Sequence, residues 1–363
     1  MINCNLNGLK DAPILVEIFR GTTTDGHPII ECVHRGLISI VSGQGEIIYS
    51  QGEQATLTHI RSCAKPFQVL PLLQSGFFSY DEKHAEHRRC DLALMMSSHA
   101  GAPMHTDRVS QLLKENGLLP SLLRCGVHPP QDETTRHQLL KHGQMPSVLH
   151  NNCSGKHVAM LIACQKFGFD MSNYDDPHHP LQQEIRRIIL ALADLSDQEL
   201  AHGIDGCSLP AWALPLEKLA LMYARLAYWQ EHLPANRPPW LKAAFKQIWQ
   251  AFVTCPEYVA GDRRFDTELI RAGHGQIVSK TGADGVHALA ILPCKDFPSG
   301  LGIAIKIADG DPRQTIRPLV LKDVLGKLDL WPNEPALDKF LPSFSNFRGF
   351  QTGGARISTA AIK

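Results

Sequence analysis

The order of the predicted elements limits the fold of this chain more than any other feature. Near the N-terminus, Ile14, Val16 and Ile18 alternate with their neighbours, as in a strand with one buried face. Further strands are predicted at residues 29–33, 38–41, 276–279, 286–292 and 301–307, and apolar residues at helical spacing predict helices at 180–195, 214–228 and 240–252. The chain therefore runs from strands to helices and back to strands.

Such runs of one element type, without strict alternation, favour an α+β fold over a doubly wound one. We expect one antiparallel sheet built from both ends of the chain, from about residues 10–50 and 275–310, with a helical region inserted over about residues 60–270. No repeat, low-complexity tract or clear linker divides the sequence. A single domain over residues 1–363 is predicted.

Composition excludes several classes of partner. The 36 basic residues equal the 36 acidic ones, so no excess charge favours nucleic acid or an anionic membrane. No apolar run approaches the roughly 20 residues that cross a bilayer, and residues 1–10 do not resemble a secretory signal. The ten cysteines are scattered in a chain long enough to build its own core. We expect most of them to be reduced and buried, in a cytoplasmic protein.

Three short motifs suggest serine chemistry. A serine hydroxyl needs a base within hydrogen-bond reach, and a lysine can serve if burial and nearby cations lower its pKa. Taken alone, Ser62 is as well explained as a helix N-cap and Lys65 as a solvated side chain, but the order S-x-x-K, serine, K-T-G is that of penicillin-binding proteins and serine β-lactamases. The motifs are Ser62-Cys63-Ala64-Lys65, Ser97-Ser98-His99 and Lys280-Thr281-Gly282.

Two further segments are dense in polar groups that can bind metals. The run from His150 to His157 leads into an apolar stretch, and a compact turn surrounds Cys207. If Cys153 and Cys207 converge, their thiolates could bind zinc, with His150 or His157 as the third ligand. The alternative, slightly favoured by spacing alone, is that both cysteines are buried thiols without a ligand.

Together these segments resemble the class 3, or rhizobial-type, L-asparaginases of the asparaginase II family. The resemblance runs from near residue 15 to about residue 310 and is most specific at residues 150–157 and 205–207. Ala102-Pro103 departs from the Glu-Pro of many relatives, and the tail beyond about residue 310 matches nothing recognisable. The matching stretches are Arg20-Gly21, His34-Arg35-Gly36, Arg61 to Pro66, Ser98 to Gly101, His150 to Met160, Asp205 to Pro210, Arg264 to Thr267 and Lys280 to Val286.

The resemblance implies a single catalytic domain with a fold similar to serine β-lactamases and glutaminases. It implies two Ser/Lys pairs, Ser62 with Lys65 and Ser98 with Lys280, in which Ser62 is the nucleophile and Lys65 its base. Ser98 is preferred to Ser97 because the family serine directly precedes histidine.

The resemblance also implies a zinc ion held by Cys153, Lys156 and Cys207, which replaces the histidine hypothesis. A lysine can bind a metal only as the free amine, so the metal itself must hold its proton off. Asp205 matches an acidic residue that holds a water molecule near the site. The residues expected to position substrate or water are Arg61, His99, Asn152, Asp205, Thr281 and Gly282.

The expected activity is hydrolysis of L-asparagine to L-aspartate and ammonia by a homodimer. The closest alternative is another serine amidohydrolase, such as a glutaminase or a β-lactamase-like enzyme, because S-x-x-K and K-T-G do not separate these substrates. A more distant alternative is a non-catalytic zinc-containing protein that binds an amino acid. The paired Ser/Lys motifs argue against it, since a binding protein needs no activated serine.

Overall fold

The structure, a computed structural model, describes residues 8–78, 85–228 and 238–359. The strands are β1 Ile14–Thr22, β2 Pro28–Ser42, β3 Ile47–Gln51, β4 Leu57–His59, β5 Ala201–Ile204, β6 Pro210–Pro215, β7 Ile277–Thr281, β8 Val286–Ile291, β9 Leu301–Ile307 and β10 Gly354–Ile357. The helices are α1 Lys65–Gln68, α2 Leu70–Gln74, α3 Ala85–Met95, α4 Pro103–Glu115, α5 Glu133–Lys141, α6 Ser154–Phe167, α7 Pro180–Ala193, α8 Leu216–Ala227, α9 Pro239–Thr254, α10 Pro256–Val259, α11 Phe265–Ala272 and α12 Ile316–Lys327.

The main sheet joins the two ends of the chain, which confirms the predicted α+β fold. Its strand order is β10-β1-β2-β9-β8-β7, with β3 paired to β2, and every pair is antiparallel. The two strands predicted at residues 29–33 and 38–41 are one strand, β2. The tail, which carries no prediction, supplies β10 at the edge beside β1.

Each face of the sheet packs against helices. Residues that alternate along the strands divide between two cores, one shared with α8 and the helical region and one shared with α12. On the first face α8 lies very close to β9: a Cβ on Gly302 would lie 1.8 Å from the carbonyl oxygen of Ala220. Glycine at this position therefore sets the distance between helix and sheet.

The helical region is built around α6, whose first eleven residues are all buried. It also contains a small sheet of order β4-β6-β5, which corrects the prediction of an all-helical segment. The helix predicted over 214–228 begins instead at Leu216, because the buried run Pro210–Pro215 forms strand β6. Among the described residues, no helix is long and apolar enough to cross a membrane.

Two cysteines depart from the expectation of reduced, buried thiols. Cys90 on α3 and Cys255 before α10 form a disulfide with Cα atoms 5.2 Å apart. Because 165 positions separate them, spacing in the sequence could not pair them. Cys32 on β2 is a free thiol that is exposed, while the free thiols of the helical region are buried.

Candidate active site

Ser62 and Lys65 lie in a tight connection between a strand and a helix. A 3₁₀ turn over Arg61–Ala64 follows β4 and continues directly into α1. The turn begins at Arg61 with a φ of +46°, a conformation that costs about 1–3 kcal/mol for a residue with a side chain. It leaves Ser62 on the wall of a cavity, while Lys65 is buried with 1% of its surface exposed.

The Lys65 ammonium is directed toward the chain that follows α3. Its Nζ donates to the carbonyl of Ser97, to the Ser98 hydroxyl at 3.1 Å and to the Asn152 carbonyl at 3.3 Å. No hydrogen bond joins Ser62 and Lys65, both of which the structure describes. The bond expected from their i, i+3 spacing is not formed, because these two carbonyls hold the ammonium elsewhere.

Ser98 is the hydroxyl that both lysines reach. Lys280 Nζ donates to Ser98 Oγ at 2.9 Å, and Lys65 Nζ donates to the same atom at 3.1 Å. The Ser98 backbone N–H donates to the Val259 carbonyl at 2.9 Å, which fixes the turn after α3. The neighbouring Ser97 hydroxyl is buried and has no partner among the described residues. Of the two adjacent serines, Ser98 therefore faces the lysines.

Burial changes the ionisation of both lysines. It lowers the pKa of Lys280 to about 8; the carboxylate of Asp266 opposes this shift and the charge of Lys65 adds to it. Burial likewise lowers the pKa of Lys65, with Cys153 opposing the shift and Lys156 adding to it. A lysine whose pKa is near 8 is partly neutral at ordinary pH, and its free amine can accept a proton from a serine hydroxyl.

Asp266 holds the K-T-G strand in place, although the sequence-based prediction gives it no role. Its Oδ2 accepts from the Thr281 N–H at 2.8 Å, and its Oδ1 accepts from the Ser279 hydroxyl at 2.7 Å and lies 3.2 Å from His287 Nε2. Burial opposes ionisation of Asp266, but His287 and Lys280 outweigh it and hold the pKa of this carboxyl far below its usual value. The only sequence signal was its place in the matching stretch from Arg264 to Thr267.

The tail beyond residue 310 also supports the K-T-G motif. Arg317 in α12 donates from Nη1 to the Gly282 carbonyl at 2.8 Å and from Nε to Asp311 Oδ2 at 3.0 Å. Asp311 in turn accepts three backbone N–H groups at the start of α12. Both side chains are buried, and no motif in the sequence marks them.

The three expected zinc ligands converge. Cys153 directly precedes α6, Lys156 lies in its first turn, and Cys207 lies between β5 and β6. Lys156 Nζ donates to Cys207 Sγ at 3.2 Å. A hydrogen bond with Cys207 lowers the pKa of the Cys153 thiol well below its usual value, against the effect of burial and with help from Lys65. The same bond raises the pKa of Cys207.

Asp205 and Arg61 lie beside this cluster. Asp205 Oδ1 accepts from Arg61 Nη2 at 2.9 Å and from the Gly206 N–H at 2.7 Å. Burial opposes ionisation of Asp205, but the charges of Lys156 and Arg61 outweigh it and lower the pKa of the carboxyl. Arg61 also forms an ion pair with Asp284, so it links the turn around Cys207 to the segment that follows the K-T-G motif.

Among the described residues, no hydrogen bond joins the ring of either histidine of the 150–157 run to a cysteine sulfur. His150 Nδ1 accepts from the Ser147 N–H at 3.0 Å, and His157 Nδ1 lies 2.7 Å from the Tyr174 hydroxyl. Burial, followed by the charge of Lys156, lowers the pKa of His157 well below its usual value. Both rings therefore have hydrogen-bond partners outside the cysteine side chains.

His99 and Asn152 occupy supporting positions. His99 Nε2 lies 2.9 Å from the Ser154 hydroxyl and its Nδ1 accepts from the Gly101 N–H at 3.1 Å, so the ring joins the Ser98 turn to the start of α6. Asn152 uses its carbonyl to accept from Lys65, and its Oδ1 accepts from the Cys153 thiol at 3.2 Å. Asn152 therefore separates the cysteine cluster from the cavity.

A cavity of about 590 Å³ brings the serines together. Two backbone N–H groups at its wall, those of Ser62 and Ala283, donate to no acceptor among the described residues. Such groups can stabilise an oxyanion. The wall includes Ser62, Ser98, Asn152, Thr281, Gly282 and Asp284, and the loop at residues 310–315 completes it.

Comparison with protein families gives one match that covers nearly all of the chain. The family model described as L-asparaginase II matches residues 22–357. The match therefore continues past residue 310, where the sequence alone showed no resemblance. A comparison with curated proteins gives no match.

Comparison with solved structures gives glutaminases. A probable glutaminase from Bacillus subtilis with 6-diazo-5-oxo-L-norleucine is 15% identical, with 82% of this chain and 85% of that chain covered and a TM-score of 0.40. A Bacillus glutaminase in 4.3 M NaCl is 14% identical, with 82% and 91% covered and the same score. At these scores the likeness is loose, and the fold class rests on the topology described above.

Proposed function

The chain belongs to the L-asparaginase II family, and on that premise we propose that it hydrolyses L-asparagine to L-aspartate and ammonia through an acyl-enzyme. The observation that carries the proposal is the convergence of two buried lysines on Ser98, in a cavity that Ser62 also lines. A protein that only binds an amino acid needs no such arrangement.

The proposed nucleophile is Ser62. Its hydroxyl lines the cavity and makes no hydrogen bond among the described residues, whereas the Ser98 hydroxyl accepts from two lysines. The Ser62 oxygen attacks the carbon of the side-chain amide. The proton of the Ser62 hydroxyl passes through the Ser98 hydroxyl to Lys65 or Lys280, whichever carries a neutral amine. The lysine then gives this proton to the leaving nitrogen, which departs as ammonia. Water hydrolyses the remaining ester between Ser62 and the aspartyl group.

The backbone supports this chemistry. Negative charge develops on the amide oxygen in the tetrahedral intermediate, and the free N–H groups of Ser62 and Ala283 are available to stabilise it. Arg317 and Asp266 fix the neighbouring K-T-G segment through Gly282 and Thr281. Donors that are already in place need no rearrangement during the reaction.

We propose further that Cys153, Lys156 and Cys207 bind one zinc ion. Two thiolates and an amine are ligands that zinc accepts, and a sulfur and a nitrogen bound to one zinc lie about 3.5 Å apart. The observed 3.2 Å between Lys156 Nζ and Cys207 Sγ fits that spacing. Lys156 donates a hydrogen bond to Cys207 Sγ, and metal binding to the lysine amine would release a proton from Lys156. Zinc held there would act as a Lewis acid toward an oxygen ligand.

The proposal is tested by ammonia release from L-asparagine, with L-glutamine in parallel. Wild-type protein should hydrolyse asparagine with the higher kcat/KM, and Ser62→Ala should lose activity at least about a thousandfold while keeping its melting temperature. Ser75→Ala, at a serine outside the cavity, is the matched control. Turnover of glutamine but not asparagine would identify a glutaminase instead. The homodimer and the cytoplasmic location remain predictions.

A further inference from the structure

The wall of the catalytic cavity carries positive charge that the protein does not neutralise. Its acidic side chains all have partners: Asp311 pairs with Arg317, Asp284 with Arg61, and Asp266 accepts the hydrogen bonds described above. Lys339 on the same wall pairs with Glu268 at 3.1 Å. Within the described part of the chain, three cavity arginines have no carboxylate partner; they are Arg263, Arg264 and Arg313.

Arg264 differs from the other two because it is half-buried and held. Arg263 and Arg313 are exposed. Arg264 donates from Nη2 to Gln131 Oε1 at 3.2 Å, a neutral partner that orients the guanidinium without cancelling its charge. A cation that is partly removed from water without a counter-ion is costly. The arrangement therefore favours an anion that arrives with the substrate.

Arg264 lies next to the turn that follows Ser98. A Cβ on Gly261 would lie 2.8 Å from Ala100 Cβ and 3.5 Å from Arg264 Cγ, so the stem of Arg264 runs beside the turn after Ser98. Gln131 flanks the same turn, since the N–H of the next residue, Asp132, donates to the Ala100 carbonyl at 2.8 Å. Arg264 and Gln131 thus both line the cavity beside one short segment, Ser98 to Ala100.

Resting on the activity proposed above, we propose that Arg264, oriented by Gln131, binds the α-carboxylate of the amino-acid substrate. A guanidinium presents two parallel N–H groups that match a carboxylate. Binding the α-carboxylate there would place the side-chain amide toward the serines. It would also select free amino acids over peptides and simple amides, in which that charge is absent.

The test compares two substrates that differ only at the α-carboxylate, L-asparagine and its uncharged α-N-methylamide. Ammonia can come only from the side-chain amide of either compound. Arg264→Met should lower kcat/KM for asparagine about 100-fold, mostly through KM, and change kcat/KM for the methylamide less than about threefold. Arg264→Lys should give an intermediate loss, because it keeps the charge but not the paired donors. Arg313→Met, which removes an exposed cavity charge, should leave the ratio of the two substrates unchanged.

The outcomes separate this inference from the proposed function. Equal losses on both substrates would overturn it, because they indicate only a structural role for Arg264. An Arg264→Met variant that loses activity on neither substrate would overturn it as well. If wild-type protein uses glutamine instead, the proposed substrate fails, and the same ratio measured with glutamine and its α-N-methylamide decides the role of Arg264. Wild-type protein that hydrolyses neither amino acid overturns both proposals.

Discussion

Lys280 is the residue whose ionisation should set the pH dependence of the reaction. Its pKa is about 8 because it is buried, and the groups around it are Asp266, Lys65, Cys63 and Cys153. The proton relay needs the neutral amine, which forms above the pKa. We therefore expect kcat/KM for asparagine to rise about tenfold per pH unit below about 8 and to level off above it. A profile that is flat from pH 6 to pH 9 would contradict this role.

A change at Asp266 tests the same lysine, because the direction in which it should shift the pKa of Lys280 is known. Its carboxylate raises the pKa of Lys280, so Asp266→Asn should move the rise in kcat/KM to lower pH. The maximum kcat should also fall, because Asp266 holds the Thr281 N–H and the Ser279 hydroxyl. Glu268→Gln, on the same helix, is the control and should leave the profile in place. A rise that stays near pH 8 or moves upward in Asp266→Asn would refute the electrostatic link.

The individual site residues differ in how far the sequence could identify them. Short motifs predicted Ser62 and Lys280, and the family resemblance chose Ser98 over Ser97; the structure places both Ser62 and Ser98 on the cavity wall and Lys280 within hydrogen-bond distance of Ser98. The motif spacing did not show that Lys65 contacts Ser98 and not Ser62. The direction of the Lys65 side chain depends on the carbonyls of Ser97 and Asn152, which lie far from it in the sequence. Asp266 was equally hidden, since its role depends on pairing with β7 rather than on its neighbours in sequence.

Among the elements, α12 and the loop before it form an anchor for the K-T-G strand. Arg317 and Asp311 are both buried, and removing one partner leaves the other without its counter-charge. Arg317→Met should lower the free energy of unfolding by about 3 kcal/mol in urea titrations. Combining it with Asp311→Asn should cost less than the sum of the two single changes. Strict additivity would show that the pair does not act as a unit. The control is Arg313→Met, which should change the free energy of unfolding by less than about 0.5 kcal/mol.

Elements with a strong local pattern could be predicted, and elements that depend on distant partners could not. The strands near both ends were predictable because short alternating or apolar runs bounded by turn residues mark them, although β8 is buried at every position and β9 at all but one. The strand Pro210–Pro215 is buried at every position, so its apolar run merged with the start of α8. Strand β10 has little pattern of its own and forms only because β1, from the opposite end of the chain, lies beside it.

The molecule as a whole assembles its site from segments that are far apart in the sequence. The sheet made from both ends places Lys280 beside the element that carries Ser62, since β7 and β8 contact the turn at Arg61–Ala64. The helical region supplies Ser98 and the cysteines. No single segment holds a complete centre, so catalysis depends on docking of the helical region against the sheet.

The proposed zinc ion would strengthen that docking, because its ligands come from two elements. Cys153 and Lys156 belong to the start of α6, and Cys207 belongs to the turn before β6. A ligand that binds only the folded state stabilises it according to its affinity. Purified protein should contain about one zinc per chain, and a strong chelator should lower its melting temperature by several degrees. Cys207→Ser should lose the metal and melt at the chelated temperature, whereas Cys32→Ser, at an exposed thiol, should retain both metal and stability. Active protein that contains no zinc and is unaffected by chelation would refute the assignment. Metal content and melting temperature are measured directly, so that result would leave the serine–lysine proposal intact.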